Sequence, residues 1–199
     1  MKVVQLTQIG RPLEAREIPV PEPADHEVLV RVEAAGICHS DVHYRSGVSP
    51  VAQLPLTPGH EVSGTVERVG PRVLRRRVGD RVCLHYLLTC GRCYFCRTGH
   101  EQFCSEGRMI GKHCDGGYAQ YVAVPEINAV SLPEEISFAH GAVLMCASAT
   151  SFHALRKARL KAGETAAVLG PGDWAFRRCN WPGLWVPWRC MPSTSIPTS

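Results

Sequence analysis

The stretch PGHEVSGTVERVG, Pro58–Gly70, sets Val62, Thr65, Val66 and Val69 between a Pro-Gly pair and a closing glycine. β-Branched residues bounded by Gly and Pro read as a strand. A histidine and a glutamate, His60 and Glu61, stand at its entrance. Three further segments carry the same pattern: EVLVRVEAAGIC (Glu27–Cys38), GDRVCLHYL (Gly79–Leu87) and GGYAQYVAV (Gly116–Val124). Together they predict a mainly β, antiparallel, barrel-like domain extending to about residue 130.

Beyond that region the period changes. SFAHGAVLMCASATSFHALRKARL (Ser137–Leu160) places apolar residues at helical spacing, offers Ser137 as a cap and gathers Lys and Arg at its C-terminal end. KAGETAAVLGPG (Lys161–Gly172) then reads as a turn and a buried, parallel-type strand that enters a glycine turn. A β-rich domain is therefore expected to lead into the opening of an α/β domain.

Composition excludes several classes of function. With 45% apolar and 20% charged residues the chain is an ordinary globular one, and its net charge of +4 is too small to argue for nucleic acid. The one basic run, RVLRRRVGDR (Arg72–Arg81), reads as a solvated loop. No signal peptide is legible at MKVVQLTQIGRP, and no uninterrupted apolar run approaches the ~18 residues of a membrane span. The expectation is a cytoplasmic protein without a membrane partner. In a reducing compartment its ten cysteines read as metal ligands rather than as disulfides.

Four of them form the strongest motif: Cys90-x2-Cys93-x2-Cys96-x7-Cys104. Thiolates at such spacing can wrap a tetrahedral zinc ion and leave no open position, the mark of a structural site. A second constellation is dispersed. GICHSDVHY (Gly36–Tyr44) supplies Cys38, His39, Ser40, Asp41 and His43, the strand entrance supplies His60 and Glu61, and the helix supplies Cys146. A catalytic zinc takes three protein ligands and keeps a further position open. Alone, Cys146 reads as a small buried hydrophobe and His43 as an ordinary histidine.

Gly59-His60-Glu61-x2-Gly64-x5-Gly70-x2-Val73 resembles the signature of the zinc-containing alcohol dehydrogenases, within the medium-chain dehydrogenase/reductase superfamily. GICHSD and the four-cysteine segment fall where that family has them, and the resemblance runs from Met1 to about Gly172. It implies a GroES-like catalytic barrel with a structural zinc lobe over residues 1–130. The start of a Rossmann nucleotide-binding domain would occupy 131–172, with a tail foreign to the family at 173–199.

The resemblance also implies roles. Cys38, His60 and Cys146 would hold the catalytic zinc, Glu61 would be the neighbouring carboxylate, and Asp41 would orient the ligand histidine. Ser40 and His43 would relay the alcohol proton to solvent, and Cys90, Cys93, Cys96 and Cys104 would hold the structural zinc. His85 and Tyr86 fall in a stretch that lines the family's substrate pocket, although a barrel-core or surface place suits them equally. Cys83 and Cys114 have no assigned partner and read as structural.

The implied cofactors are two zinc ions per chain and NAD or NADP. The implied substrate is a small alcohol or aldehyde, and the full-length family forms homo-oligomers. An inert zinc-binding barrel and a polyol or threonine dehydrogenase of the same superfamily are the alternatives; Cys146 argues against the polyol enzyme.

Gly170-Pro171-Gly172 begins a dinucleotide fingerprint, in which glycines bring backbone close to a pyrophosphate at a helix N-terminus. The helix that should follow is missing. Pro182 and Pro187 interrupt the segment, and all four tryptophans lie between Trp174 and Trp188. Reading plausible codons from the third base of the Asp173 codon gives Leu-Gly and then allows an apolar helix. Loss of one G would join the two frames. A frameshift after Gly172 is thus the expected origin of the tail, and the chain as given is expected to be an inactive, truncated form.

Overall fold

Glu27–Gly36 shows why the first region becomes a sheet. Val28 and Val30 are buried on one side, and the pattern then alternates along the rest of the strand. In the computed structural model, which describes residues 1–161 and Glu164, this is the third of nine strands. The order is β1 (Lys2–Gln5), β2 (Glu14–Glu17), β3 (Glu27–Gly36), α1 (His39–Ser46), β4 (Glu61–Val69), β5 (Arg81–Leu84) and β6 (Leu87–Leu88). There follow α2 (Tyr94–Arg97), β7 (Arg108–Met109), β8 (Tyr121–Pro125), β9 (Ala129–Ser131) and α3 (Phe138–Val143). A π-helical turn at Leu144–Ser148 and α4 (Ala149–Lys157) complete the described elements.

Five strands form one sheet in the order β8-β3-β4-β5-β9, every pairing antiparallel. Val28 faces Val124 across the β3–β8 pair, and Val30 faces Val122 on one side and Val66 on the other. These side chains, with Val62, Val82, Leu84, Ile110 and Ala129, make the buried core. Each fully buried valine contributes about 2 kcal/mol of hydrophobic stabilisation before entropy is charged against it. Two irregularities in the β3–β4 register, at Leu29/Val30 and Val32/Ala34, add bend and twist to the central pair.

Two predicted strands are shorter than the sequence suggests, and both departures shape the site. Gly79–Leu87 breaks into β5 and β6 at His85 and Tyr86, with Leu87 pairing with Met109 of β7 instead, and Asn128 spans the break. Its side-chain amide donates to the carbonyls of His85 and Leu87, at 2.9 and 2.8 Å. Gly116–Val124 becomes strand only from Tyr121. The N–H groups of Gly116, Gly117 and Tyr118 donate instead to the carbonyls of Thr57, Gly59 and Pro58, at 2.8, 2.8 and 3.0 Å. The loop is thereby laced to the entrance of β4.

The chain divides into two compact units, Met1–Met145 and Cys146 onward. In the first, α3 packs on β3 and β4, and its N-cap is Ser137, whose hydroxyl accepts from the His140 N–H at 3.3 Å. Phe138–Lys157 is helical over 20 residues with a mean hydropathy of 1.2. By length and composition alone such a helix can cross a membrane, a property that counting uninterrupted apolar runs does not detect. Core helices of soluble domains meet the same criterion. The expected strand and glycine turn, with Gly170 and Gly172, lie outside the described residues.

Candidate metal centres

The first centre is built from adjacent sequence. Cys93 is the N-cap of α2, Cys96 lies within it, and Cys104 follows a single 3-10 turn at Glu101–Phe103. All four sulfurs, including Cys90, lie within 4.8 Å of one another. The Cys93–Cys96, Cys90–Cys104 and Cys90–Cys96 separations are 3.5, 3.6 and 3.9 Å. A tetrahedron with zinc–sulfur bonds of about 2.3 Å has edges of about 3.8 Å, whereas a disulfide would bring two sulfurs to about 2 Å. The spacing fits a metal, and these cysteines are free.

The thiols differ in their electrostatics. N–H groups of Arg92 and Cys93 draw the Cys90 thiol pKa down to about 7, and burial, reinforced by Cys93, pushes Cys96 up to about 11. The segment has little else to hold it. Neither α2 nor the 3-10 turn buries a side chain, and Tyr94, Phe95 and Phe103 are exposed, with their rings against one another.

The second centre lies at the heart of the first unit. Cys38 is the N-cap of α1 and Asp41 sits in its first turn, while His60 immediately precedes β4. All three are buried. The Cys38 sulfur and a ring nitrogen of His60 lie within 4.8 Å. Behind the histidine, Asp41 Oδ1 faces His60 Nδ1 at 3.6 Å. That is too long for a hydrogen bond, so two buried polar atoms point at each other without bonding. The other oxygen, Oδ2, accepts from the Cys38 N–H at 3.0 Å and from the Tyr118 hydroxyl at 2.8 Å.

Burial pulls the His60 pKa down, but Asp41 and Cys38 outweigh it and push it up to about 9. For Asp41, burial acts upward, yet His60 and the Cys38 N–H hold the carboxyl below its usual range. The Tyr118 hydroxyl is raised well above its ordinary value by burial and by the Asp41 carboxylate, which keeps it a donor. The donor set, a thiol and an imidazole with a carboxylate behind the ring, is that of a zinc site with an oriented histidine. The residues fit the metal.

The remaining candidates take distinct places. Glu61 is buried and folds over Gly36, its partner across the β3–β4 ladder; a Cβ on Gly36 would lie 2.1 Å from the carboxylate. Ser40 Oγ accepts from the Cys38 sulfur at 3.6 Å. His43 is exposed on α1, its ring edge-on to His39 with centroids 4.8 Å apart. Tyr86 presents its ring edge-on to His60 at 5.8 Å and stacks on His85 at 5.6 Å. Cys146, in the second unit, is buried within the π-helical turn. Cys83 and Cys114 donate to the carbonyls of Val130 and Met109, and burial pushes both thiols up.

Two residues here are not evident from the sequence. Tyr118 looks like one more strand aromatic, yet its hydroxyl reaches Asp41. Gly59 belongs to the motif, but its reason is tertiary: φ is +94°, and the Tyr118 ring lies 2.6 Å from where a Cβ would stand.

Comparison with known proteins places the chain in a family. Residues 24–134 match the alcohol dehydrogenase GroES-like domain. The NAD-dependent alcohol dehydrogenase of Sulfurisphaera tokodaii is 39% identical over 180 residues, covering 86% of this chain and 52% of the relative. An alcohol dehydrogenase of Geobacillus stearothermophilus is 40% identical over 174 residues, with the same coverages. The chain thus spans about half the length of the curated relatives it matches. Among solved structures, the cobalt- and zinc-bound thermostable alcohol dehydrogenase of Pyrobaculum aerophilum superposes with a TM-score of 0.84 at 32% identity. The match covers 89% of this chain and 55% of that one. The alcohol dehydrogenase of Aeropyrum pernix gives 0.83 at 31% identity, covering 89% and 54%. The family match extends over more than half of the residues, so the chain belongs to the zinc-containing alcohol dehydrogenases of the medium-chain dehydrogenase/reductase superfamily and carries their GroES-like domain.

Proposed function

We propose that this chain is the metal-binding half of an enzyme that reversibly oxidises an alcohol to an aldehyde or ketone, with NAD or NADP as hydride acceptor. The observation that carries the reading is the buried Cys38–His60 pair with Asp41 behind the ring, at one end of the paired strands β3 and β4. Cys38, His60 and Cys146 are the proposed ligands of a catalytic zinc, and the four lobe cysteines those of a structural one. When bound, zinc supplies Lewis acidity that acidifies an alcohol hydroxyl.

The chain's own residues do the rest. Cys38 and His60 are presented from the N-terminus of α1 and the entrance of β4, whose backbones are fixed by the sheet. Asp41 holds the tautomer of His60 in which Nδ1 bears the proton and the other nitrogen is free to bind metal. Ser40, beside the Cys38 sulfur, takes the substrate proton, and His43, exposed on α1, passes it to solvent. Tyr86, edge-on to His60, walls the space beside the ligand and excludes water there. Glu61 serves as a neighbouring carboxylate in reserve.

Cytoplasmic location and homo-oligomeric assembly of the whole enzyme are part of the proposal, as is the division into residues 1–130, 131–172 and 173–199. The relatives match 86% of the chain, and the proposal takes 173–199 as the part foreign to the family. A nicotinamide pyrophosphate is held by the N–H groups of a helix N-terminus, and the proposal takes Pro182 and Pro187 as foreign to the family's helix sequence.

Cobalt substitution tests the reading. The 199-residue chain is expected to show a visible spectrum that responds to added alcohol or imidazole and disappears in His60→Ala, with no nicotinamide reduction. An unchanged spectrum in His60→Ala refutes the ligand set. Restoring one base at the Gly172 codon is expected to give a longer product that reduces NAD or NADP with a simple alcohol. Robust turnover by the chain as it stands would show that 173–199 is native.

A further inference from the structure

We infer that Tyr118 is a positioning residue for the buried metal centre, acting through the Asp41 carboxylate on the ligand His60. The inference rests on the reading of Cys38 and His60 as metal ligands.

The position of Tyr118 is set from both sides of its peptide. Its N–H donates to the Pro58 carbonyl at 3.0 Å, and its own carbonyl accepts from the Val4 N–H at 2.8 Å. Its ring lies against Gly59, the residue before the ligand histidine, where a Cβ would come within 2.6 Å. One anchored side chain therefore touches the turn that delivers His60 and also the acid behind it. The hydroxyl reaches back 77 residues to Asp41 Oδ2 at 2.8 Å, with the Gly36 carbonyl as a second, longer acceptor at 3.3 Å. It has a single proton to give, and the shorter, charge-assisted bond goes to the carboxylate.

That bond decides how Asp41 can be used. A carboxylate turns about one torsion, and both of its oxygens compete for whatever donor is near. Here the Cys38 N–H and the Tyr118 hydroxyl together claim Oδ2. Oδ1 is left without a bond and directed at His60 Nδ1, itself buried and without a bond, at 3.6 Å. Without the hydroxyl, only the Cys38 N–H would restrain the carboxylate. It could then rotate, and the imidazole would lose the partner that fixes its tautomer and tilt. Supporting groups of this kind typically alter metal affinity by about 10- to 100-fold.

Tyr118→Phe keeps the ring that packs on Gly59 and removes only the hydroxyl. The measurements are the visible spectrum of the cobalt-loaded 199-residue chain and the rate at which a chelator strips metal from the buried centre. Zinc retained by the four-cysteine lobe serves as the internal standard for folding. Tyr118→Phe is expected to shift the cobalt bands and to speed metal loss from the buried centre about tenfold, leaving lobe zinc unchanged. In an Asp41→Asn background the same substitution is expected to add little, because the path runs through the carboxylate. A Tyr118→Phe chain with the wild-type spectrum and release rate overturns the inference. So does an equal effect with and without Asp41, which would mark the hydroxyl as a packing element tied to Gly36. A wild-type chain that takes up no cobalt at this centre, or His60→Ala with an unaltered spectrum, overturns the ligand assignment itself and the inference with it.

Discussion

The two candidate metal centres of this chain are made in opposite ways. The four-cysteine lobe is assembled from neighbours, its outermost ligands only 14 residues apart, and its sulfurs are half-buried at the surface. The Cys38–His60 centre is assembled from a helix cap, a strand entrance and a distant loop, and its groups are buried. In the lobe a metal would stand in for a hydrophobic core that α2 and the 3-10 turn do not possess. In the buried centre the fold exists first, and on the proposed reading a metal would be received by side chains that Asp41 and Tyr118 orient. A site whose ligands hold the fold must be closed, whereas a site that the fold holds can leave a position open for chemistry.

The largest effect that would sharpen this contrast is loss of the lobe. Cys93→Ser, or zinc removal by a strong chelator, is expected to unfold residues 90–104 while the five-stranded sheet persists. Limited proteolysis should cut inside that segment alone, and metal analysis should find one zinc fewer per chain. Alkylation after chelation should label the four lobe cysteines and spare Cys83 and Cys114, whose thiols are screened and raised by burial. Melting of the whole first unit together with the lobe would break the comparison.

His60→Ala comes next. It strands the buried Asp41 carboxylate without its partner, a change that typically costs about 3 kcal/mol or more. Denaturant unfolding should show that loss for the barrel, with lobe zinc retained. Asp41→Asn is milder. It keeps the shape and removes the charge behind the ring, and is expected to weaken metal binding at the buried centre by about 10- to 100-fold. Competition with a calibrated chelator measures it, and the lobe should not respond.

Asn128→Ala is expected to be the smallest of the four. It removes the two bonds that span the break between β5 and β6, for about 1–3 kcal/mol of barrel stability. Because those bonds bracket Tyr86, proton-deuterium exchange at 85–87 should rise while the lobe amides stay as they were. An exchange pattern unchanged at 85–87 would show that the bracket does not position the ring.

How far each centre could be read in advance follows from the same contrast. Three cysteines at a three-residue period with a fourth nearby describe a closed ligand set without any knowledge of the fold, because the chain between them is too short to carry the sulfurs far apart. Cys38 and His60 are separated by a helix and a loop, and nothing in their spacing brings them together. Only the resemblance of the motif around Gly59-His60-Glu61 pointed to them. Tyr118 was hidden altogether. It lies in a segment with strand character, and its role depends on three N–H groups choosing the carbonyls of residues 57–59 over a ladder partner. The same competition truncated the strand expected from Gly116.

What the amino-acid order determined by itself was local: the valine alternation of β3, the cap at Ser137, the sulfur cluster, and the family to which the motif belongs. Each rests on contacts between residues close in the chain, or on a pattern that survives without knowing what lies opposite. The tertiary structure alone decided which oxygen of Asp41 faces His60, why Gly59 must lack a side chain, and where the strands on either side of Tyr86 stop. Those outcomes turn on which of several chemically equivalent donors and acceptors meet across a folded sheet. A sequence offers every such pairing at once, and only the packing of distant segments selects one.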